Sequence, residues 1–295
     1  MTEQKKRLII VDCSSVIYRA YYALPPLTNK QGELINAVYG FFLVFLRILK
    51  EFHPYYIAPA FDLPGPTFRH KQFKEYKAKR IAAPPELYQQ IPKIKEILKN
   101  IGLLIFEKQG FEADDLIASI ANYASQTQVL PKIETIILSG DFDLLQLVDK
   151  QTRVYMLTKG LKASEIYDIA KVKEVFGFFP KQVIDFKALA GDQSDNIPGA
   201  TGIGKKTALN LVQKYGSVFN IYEAIKKGEA WEMNSKTKDI LLKNKEQVFL
   251  SMNLAETRKD ALSDFNFEKS KFILNKEQLK QIFEKNELPG LSNKI

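Results

Sequence analysis

The sequence is poor in the residues that build disulfide, zinc and histidine sites. Among 295 residues there is one cysteine, Cys13, and there are two histidines, His53 and His70. A single cysteine excludes an internal disulfide and a cysteine-rich zinc site, and it favours an intracellular, cytoplasmic protein. Neither histidine stands in a Ser-His-Asp or Cys-His pattern. A long apolar run is missing too, because AVYGFFLVFLRIL is interrupted by Arg47, and we therefore expect no membrane association.

Short apolar runs alternate with helical patterns in the first 180 residues. The runs are 7–12, 55–62, 103–106, 134–141 and 152–157, and the helical patterns are 34–52, 86–100 and 112–126. This alternation predicts an α/β domain over residues 1–180, with a mostly parallel sheet flanked by helices. From about residue 160 onward we expect no further strands, and we assign 181–295 to a second, helical domain.

One basic segment interrupts the first domain. Residues 63–87, within an insertion that we place at about 63–95, contain seven basic side chains interleaved with Phe68, Phe73 and Tyr76. Such a combination is typical of a segment that tracks a phosphate backbone and stacks bases. A solvated loop with a short helix is the alternative.

Nine carboxylates lie near the ends of the predicted strands or at the entry to the helical region. They are Asp12, Asp62, Glu112, Asp114, Asp115, Asp141, Asp143, Asp192 and Asp195. The carboxyl ends of parallel strands share one edge, which brings the first seven together, and the last two could join them. Each acid alone is readily explained as a helix-cap or turn residue, but nine close carboxylates repel strongly unless cations intervene.

The chemistry of these carboxylates favours one class of metal. Oxygen ligands without histidine or cysteine favour Mg²⁺ or Mn²⁺, and two such ions about 4 Å apart are the apparatus of phosphodiester hydrolysis. The net charge of +9 favours an anionic partner, although surface lysines alone can produce such an excess. Without the nine acids the chain has 43 basic against 25 acidic residues, as a nucleic-acid-binding surface requires.

Six motifs resemble those of a known family. IVDCSS, FDLPGPTFR, EYKAKR, GFEADDLI, SGDFDLLQLV and GDQSDNIPGATGIGKKTA are similar, in order, to motifs of the bacterial 5′-nuclease family. That family includes the N-terminal domain of DNA polymerase I, its free-standing relatives, phage 5′-exonucleases and, more distantly, flap endonucleases. The resemblance implies a PIN-like sheet, a helical arch formed by the insertion, and a helix-three-turn-helix, related to the helix-hairpin-helix, at about 196–215.

The resemblance also implies two metal sites. The first would use Asp12, Asp62, Glu112 and Asp114, with Asp115 nearby, and the second would use Asp141, Asp143, Asp192 and Asp195. Two residues depart from the family pattern. Cys13 replaces the usual glycine, and Phe142 stands where lysine or arginine is common.

Contacts with DNA are implied for several basic residues. Lys77 and Arg80 match the arch residues that contact the scissile phosphate, and Tyr76 would stack on a base. Arg19 and Arg69 are further phosphate-contact candidates. Together with Asp114 and Asp141, Lys77 and Arg80 form the expected catalytic set.

The segment GATGIGKKT, residues 199–207, has the glycine and lysine spacing of a P-loop. ATP binding is not indicated, because Lys206 stands where a hydroxyl is needed and the preceding GDQSDNIP is not an apolar strand. In the family, Gly202 and Gly204 let backbone N–H groups approach a duplex phosphate, often with a bridging K⁺. Lys205, where the family commonly has glutamate, and Lys206 lie beside that contact.

The implied function is a divalent-metal-dependent 5′-3′ exonuclease and flap endonuclease. Its expected substrates are DNA with 5′ flaps, nicks or RNA-primed 5′ ends, in primer removal and repair. We expect a monomer that works with a DNA polymerase in the same chain or in trans. The alternatives are a non-catalytic protein that binds flap or junction DNA, and a PIN-type ribonuclease, which usually lacks the GIGKKTA hairpin.

Overall fold

The computed structural model describes residues 6–126, 133–288 and 290–295. Within them a five-stranded sheet has the order β2-β1-β3-β4-β5. The strands are β1 (Arg7–Asp12), β2 (Tyr56–Ala60), β3 (Glu134–Ser139), β4 (Thr152–Lys159) and β5 (Ala163–Tyr167). β1 to β4 run parallel and β5 pairs with β4 antiparallel. The predicted mostly parallel sheet flanked by helices is therefore confirmed.

Helices cover both faces of the sheet. They are α1 (Cys13–Ala23), α2 (Asn36–Phe52), α3 (Phe68–Gln72), α4 (Pro85–Asn100), α5 (Ala113–Gln126), α6 (Ile169–Phe176), α7 (Gln182–Ala190), α8 (Lys205–Tyr215), α9 (Val218–Lys227), α10 (Ser235–Lys243), α11 (Lys245–Ala255) and α12 (Lys276–Lys285). A 3₁₀ helix, Phe142–Leu147, follows β3. Within the described residues, no helix has the length and apolar character needed to cross a membrane.

The alternating side chains of β1 enter two separate cores. Ile9 and Val11 pack with α1, α2, α4 and α12, while Leu8 and Ile10 pack with α5 and the cluster that continues into α6–α11. All four side chains are buried. Burial of each such aliphatic side chain contributes about 1.5–3 kcal/mol, which explains why RLIIVD forms an interior strand covered on both faces.

One predicted strand is wrong. Residues 103–106 form only a single parallel bridge, between Ala60 and Phe106. The N–H of Phe106 donates to Pro59 and the N–H of Phe61 donates to Phe106. Pro59 has no N–H with which to continue this ladder toward Leu104, so the segment remains irregular beside β2.

A second correction concerns the region after residue 160, where we expected no strands. β5 forms there as an antiparallel edge strand, reached from β4 through Gly160 at a φ of +59°. The turn signal TKG and the alternating segment ASEIY were overlooked.

The C-terminal segment returns to the first part of the chain. Phe283 of α12 packs against Phe42 of α2 with their ring centroids 5.5 Å apart, and Phe272 N–H donates to the carbonyl of Tyr55. The last part of the predicted 181–295 region therefore shares the core of the sheet. The division of the chain near residue 180 remains a prediction.

Candidate metal and nucleic-acid site

The acidic edge of the sheet coincides with its topological switch point. β1 and β3 are neighbours in the sheet. From β1 the chain continues to β2 on one side, and from β3 it continues to β4 on the other side, so the two connections leave in opposite directions. In open α/β sheets the crevice at such a point is where ligands bind. Asp12 ends β1 and Asp141 follows β3 by two residues, which places both carboxylates at this crevice.

Asp12 is held at the edge by hydrogen bonds. It caps α1 by accepting from the N–H of Ser15 at 3.0 Å, and it accepts from the hydroxyl of Ser139 at 2.5 Å. Burial, together with repulsion from Asp62 and Asp141, raises the pKa of Asp12 to about 7, although the two hydrogen bonds act in the opposite direction. The ionised form of this carboxylate is therefore poorly compensated by the protein.

Ser139 also links Asp12 to Asp141. Its hydroxyl accepts from the N–H of Asp141 at 2.9 Å while it donates to Asp12. Asp141 in turn caps the 3₁₀ helix by accepting from the N–H of Asp143 at 2.9 Å. Ser139 was not predicted as a site residue. Its position directly before the predicted acid motif was the available signal.

Asp62 and Asp114 complete a group of four carboxylates at the edge. Asp62 accepts from the N–H of Ala113 at 2.8 Å, which ties the end of β2 to the start of α5. Asp114 lies in the first turn of α5, and burial and repulsion from Asp141 and Asp12 raise its pKa well above the usual range. Within residues 6–126, 133–288 and 290–295, no lysine or arginine forms an ion pair with Asp12, Asp62, Asp114 or Asp141.

These four carboxylates line one cleft of about 530 Å³. Glu112, Lys77, Arg80 and Arg19 line it as well, and Arg19 donates to the carbonyl of Gly140 at 3.4 Å. The cleft also has an aromatic side that the sequence analysis missed: Tyr18, Tyr22 and Tyr88. Exposed aromatic faces beside a basic cleft offer stacking surfaces to unpaired bases.

Glu112 and Asp195 are already bound by the basic insertion. Lys77 donates to Glu112 at 2.8 Å, and Arg80 pairs with Asp195. Burial raises the pKa of Asp195, but Lys77 and Arg80 outweigh it and lower the pKa below its usual value. The insertion therefore folds onto the acidic edge, with Lys77 in the left-handed region at a φ of +57°.

Tyr76 does not have the position expected of a base-stacking residue. The residue is 3% exposed, and its hydroxyl oxygen lies 3.1 Å from a carboxylate oxygen of Glu112 and 3.1 Å from one of Asp195, so that its single proton is shared between them. Those buried carboxylates hold the ring inside, so in this conformation Tyr76 connects the insertion to two acids instead of facing a ligand.

Arg69 and Asp115, which were predicted to contact a phosphate and to lie near a metal, pair with each other in the structure. The Arg69 guanidinium donates two hydrogen bonds of 2.8 Å to Asp115 and further ones to the carbonyls of Leu254 and Glu256. Asp115 is fully buried and also accepts from the N–H of Arg258. In this conformation the donors of Arg69 are therefore used within the protein, and the pair joins the insertion to α5 and the end of α11.

Asp143 and Asp192 share a lysine that was not predicted. The ammonium of Lys187, on α7, forms ion pairs with both carboxylates. Burial tends to raise the pKa of Asp192, but Lys187 and Ser194 lower it to about 2. The pKa of Asp143 rises to about 7, because burial and Asp141 outweigh Lys187. The helix places Lys187 five residues before Asp192, a spacing with no specific sequence signature.

The fit of this edge to a metal rests on its donor chemistry. Within the described residues, no three carboxylate, imidazole or thiol groups form a compact, ready-made metal cluster. Four carboxylates nevertheless line one cleft without a basic partner, and burial and mutual repulsion raise the pKa of two of them. Hard cations such as Mg²⁺ bind to such oxygen donors and remove that repulsion, so the residues fit a divalent cation.

The predicted hairpin presents an exposed helix start. α8 begins at Lys205, and its N-cap residue is Gly204. Because glycine has no side chain, no side-chain cap bonds to the first N–H groups of the helix. Gly202, Gly204, Lys205 and Lys206 are exposed, and Gly202 has a φ of +101°. Open N–H groups at a helix N-terminus with adjacent lysines suit a phosphate. The preceding residues form a turn and not a strand, as we expected when setting aside a P-loop.

Comparison with known proteins agrees with this architecture. Residues 7–177 match the family described as 5′-3′ exonuclease, N-terminal resolvase-like domain, and residues 178–278 match 5′-3′ exonuclease, C-terminal SAM fold. Among solved structures, the T5 D15 protein has a TM-score of 0.69 at 20% identity, covering 95% of this chain and 99% of that chain. The catalytic core of Rad2 has a TM-score of 0.60 at 15% identity, covering 98% and 90%. These two likenesses show the fold.

Sequence relatives are more similar. DNA polymerase I of Bacillus caldotenax is 42% identical over 87% of this chain, which spans 28% of that protein. DNA polymerase I of Bacillus subtilis is 39% identical over 96% of this chain, and 31% of that protein is covered. The 5′-3′ exonuclease of Aquifex aeolicus is 41% identical, covering 81% of this chain and 80% of that protein. The chain therefore belongs to the 5′-3′ exonuclease family.

Proposed function

We propose that this chain is a structure-specific, divalent-metal-dependent 5′-3′ exonuclease and flap endonuclease. It would hydrolyse phosphodiester bonds where a 5′ single strand joins a duplex, in primer removal and repair. The observation that carries the proposal is the group of four carboxylates without basic partners, Asp12, Asp62, Asp114 and Asp141, at the switch point of the sheet.

Divalent cations, Mg²⁺ or Mn²⁺, are the proposed cofactors. Asp12, Asp62, Glu112 and Asp114 would hold one, and Asp141, Asp143, Asp192 and Asp195 another. When bound, such ions stabilise negative charge on a phosphodiester and promote deprotonation of the attacking water. Two related structures support the proposal: T5 D15 was co-crystallised with metal ions, and T5 5′-exonuclease binds divalent zinc.

Lys77 and Arg80 are the proposed phosphate-positioning groups. Both side chains line the cleft beside the four carboxylates and now pair with Glu112 and Asp195. A cation taken up by those acids would leave the ammonium and guanidinium free to donate to a phosphate. Arg19, which has no carboxylate partner among the described residues, is a further phosphate-contact candidate.

DNA with a 5′ flap, a nick or an RNA-primed 5′ end is the proposed partner. The exposed start of α8 would contact a duplex phosphate through backbone N–H groups, with K⁺ as a bridge. The Rad2 core and T5 D15 form complexes with DNA, which supports a similar role here.

We also propose that the protein is a cytoplasmic monomer. It would act with a DNA polymerase, as the DNA polymerase I relatives suggest.

Replacement of one carboxylate tests this proposal. Asp141→Asn keeps the shape of the side chain but removes its charge, so we expect flap binding to persist while Mg²⁺-dependent cleavage falls by about 100-fold or more. Binding and cleavage of a labelled 5′-flap duplex, with Mg²⁺ and with a chelator, provide the measurement. Asp239→Asn, at an exposed position of α10, is the matched control and should cleave normally.

Two outcomes would contradict the assignment. Near-normal cleavage by Asp141→Asn would show that this carboxylate holds no essential cation. Tight flap binding by the unaltered protein with no cleavage under either condition would favour the second candidate, a non-catalytic flap- or junction-binding protein. That candidate is less well supported, because a binding role does not require four carboxylates without basic partners in one cleft.

A further inference from the structure

The acidic edge has one part whose carboxylates pair with Lys187 and another part whose carboxylates have no basic partner among the described residues. The ammonium of Lys187 pairs with Asp143 and Asp192, and the three side chains are only 14%, 14% and 15% exposed. The carboxylates Asp12, Asp62, Asp114 and Asp141 have no such partner in the described part of the chain. A protein cation therefore occupies the place between Asp143 and Asp192, while the other part of the edge carries unbalanced negative charge.

The carboxylate of Asp192 has hydrogen-bond partners besides Lys187, and the backbone of Asp143 is held in place by a separate bond. Asp192 accepts from the N–H and the hydroxyl of Ser194, at 2.8 and 2.6 Å. The backbone N–H of Asp143 is held by Asp141 at 2.9 Å. None of these bonds involves the ammonium, so when Lys187 leaves, the Asp192 carboxylate stays in place and the backbone that carries Asp143 stays beside it, where the pair can accept another cation.

The backbone near Lys187 has little freedom to move, in contrast with its side chain. Gly191, which ends α7, lies so close to the next turn that an added Cβ would be 2.7 Å from the carbonyl oxygen of Ile197. The Gly191 N–H also donates to the carbonyl of Lys187 at 2.9 Å. Exchange at this place therefore depends on rotation of the flexible four-carbon stem of the lysine.

We propose that Lys187 is a positioning residue that holds the place of a divalent cation between Asp143 and Asp192. A cation enters there only when the ammonium swings out. The site that contains Asp12, Asp62 and Asp114, which have no basic partners among the described residues, therefore takes up its cation first, and the site that contains Asp143 and Asp192 takes one up at higher concentration. This inference rests on the proposed metal-dependent function and adds to it the order in which the edge is loaded.

Calorimetric titration of the full chain with Mn²⁺ tests the proposal. We expect a tighter and a weaker class of sites in the unaltered protein. Lys187→Met removes the competing charge at similar length and should tighten the weaker class about tenfold, a change well within the strength of such ion pairs. Lys187→Arg keeps the charge and should retain the weaker class. Lys181→Met, at an exposed position at the start of α7, is the matched control and should bind as the unaltered protein does.

A second measurement needs no variant. Acetylation of lysine amines, followed by mass spectrometry, reports how accessible each ammonium is. Lys187 should be modified slowly without Mn²⁺ and several-fold faster once the weaker class is filled, whereas the rate at Lys181 should stay constant.

The outcomes separate the inference from the function on which it rests. Equal Mn²⁺ affinities in Lys187→Met and the unaltered protein, or a Lys187 acetylation rate that does not rise with Mn²⁺, would overturn the place-holding role alone. Absence of Mn²⁺ binding to every variant would instead overturn the proposed metal-dependent function, and this inference with it.

Discussion

Asp114 and Asp115 are neighbours in the sequence with opposite environments. Asp115 is fully buried and receives two hydrogen bonds from Arg69, whereas Asp114 lines the cleft without a basic partner. Successive residues of a helix point about 100° apart, so one faces the core and the other the cleft. At the scale of single residues, the direction of a side chain and its partner decide which acid can hold a cation.

Arg69 should be essential for stability. Arg69→Met leaves Asp115 as an unpaired buried charge and removes the donors to two carbonyls, so we expect a loss of about 3–5 kcal/mol in the free energy of unfolding. Urea denaturation without added metal is the measurement.

Arg258→Met provides the comparison for that experiment. Its guanidinium pairs with Asp260 at the surface, where both side chains are largely exposed, and its loss should cost less than about 1 kcal/mol. Equal losses for the two variants would show that the buried Arg69–Asp115 pair is not a principal support of the fold.

At the scale of elements, the basic insertion packs over the acidic edge and forms hydrogen bonds with the segment around Asp195. The N–H of Lys77 donates to the carbonyl of Asp195 at 2.9 Å, and the side-chain amide of Asn196 donates to the carbonyl of Glu75 at 2.7 Å. Both Lys77 and Asn196 have positive φ values, of 57° and 55°. Such conformations persist for non-glycine residues only where the surrounding contacts hold them, as these hydrogen bonds do.

Replacement of basic residues in the insertion should slow cleavage more than it weakens binding. For Lys77→Ala or Arg80→Ala we expect flap cleavage to fall by about 100-fold, because a donor to the reacting phosphate is lost, with only a modest loss of duplex affinity. Single-turnover cleavage and flap binding are the measurements. Lys79→Ala, at an exposed neighbouring position, should behave normally. Unchanged rates in the first two variants would remove the insertion from the reaction.

The sequence predicted those elements whose pattern is local. The run RLIIVD and the helical patterns at 34–52, 86–100 and 112–126 correspond to β1, α2, α4 and α5 within about two residues. The strand predicted at 103–106 does not form, because its partner Pro59, more than forty residues earlier in the chain, has no N–H to donate. Likewise, the contacts of Lys187, Arg69 and Tyr76 depend on how distant segments pack, which no local spacing encodes.

At the scale of the whole molecule, helices from distant parts of the chain cover the two faces of one sheet. α12 packs beside α2 on one face, while α5 and the cluster continuing into α6–α11 pack on the other. This arrangement fixes the ends of β1 and β3, and with them Asp12 and Asp141, beside one crevice. The family motifs predicted a set of acids for this edge. Which of those carboxylates have a lysine or arginine partner could be seen only in the structure.

We expect the carboxylates without basic partners at the switch point to bind divalent cations. Anomalous diffraction from a crystal grown with Mn²⁺ locates such ions. An anomalous peak should lie within coordination distance of Asp12, Asp62, Asp114 or Asp141, about 2.0–2.3 Å from their oxygens. A crystal at saturating Mn²⁺ with no peak at these carboxylates, or with peaks only elsewhere on the protein, would contradict it.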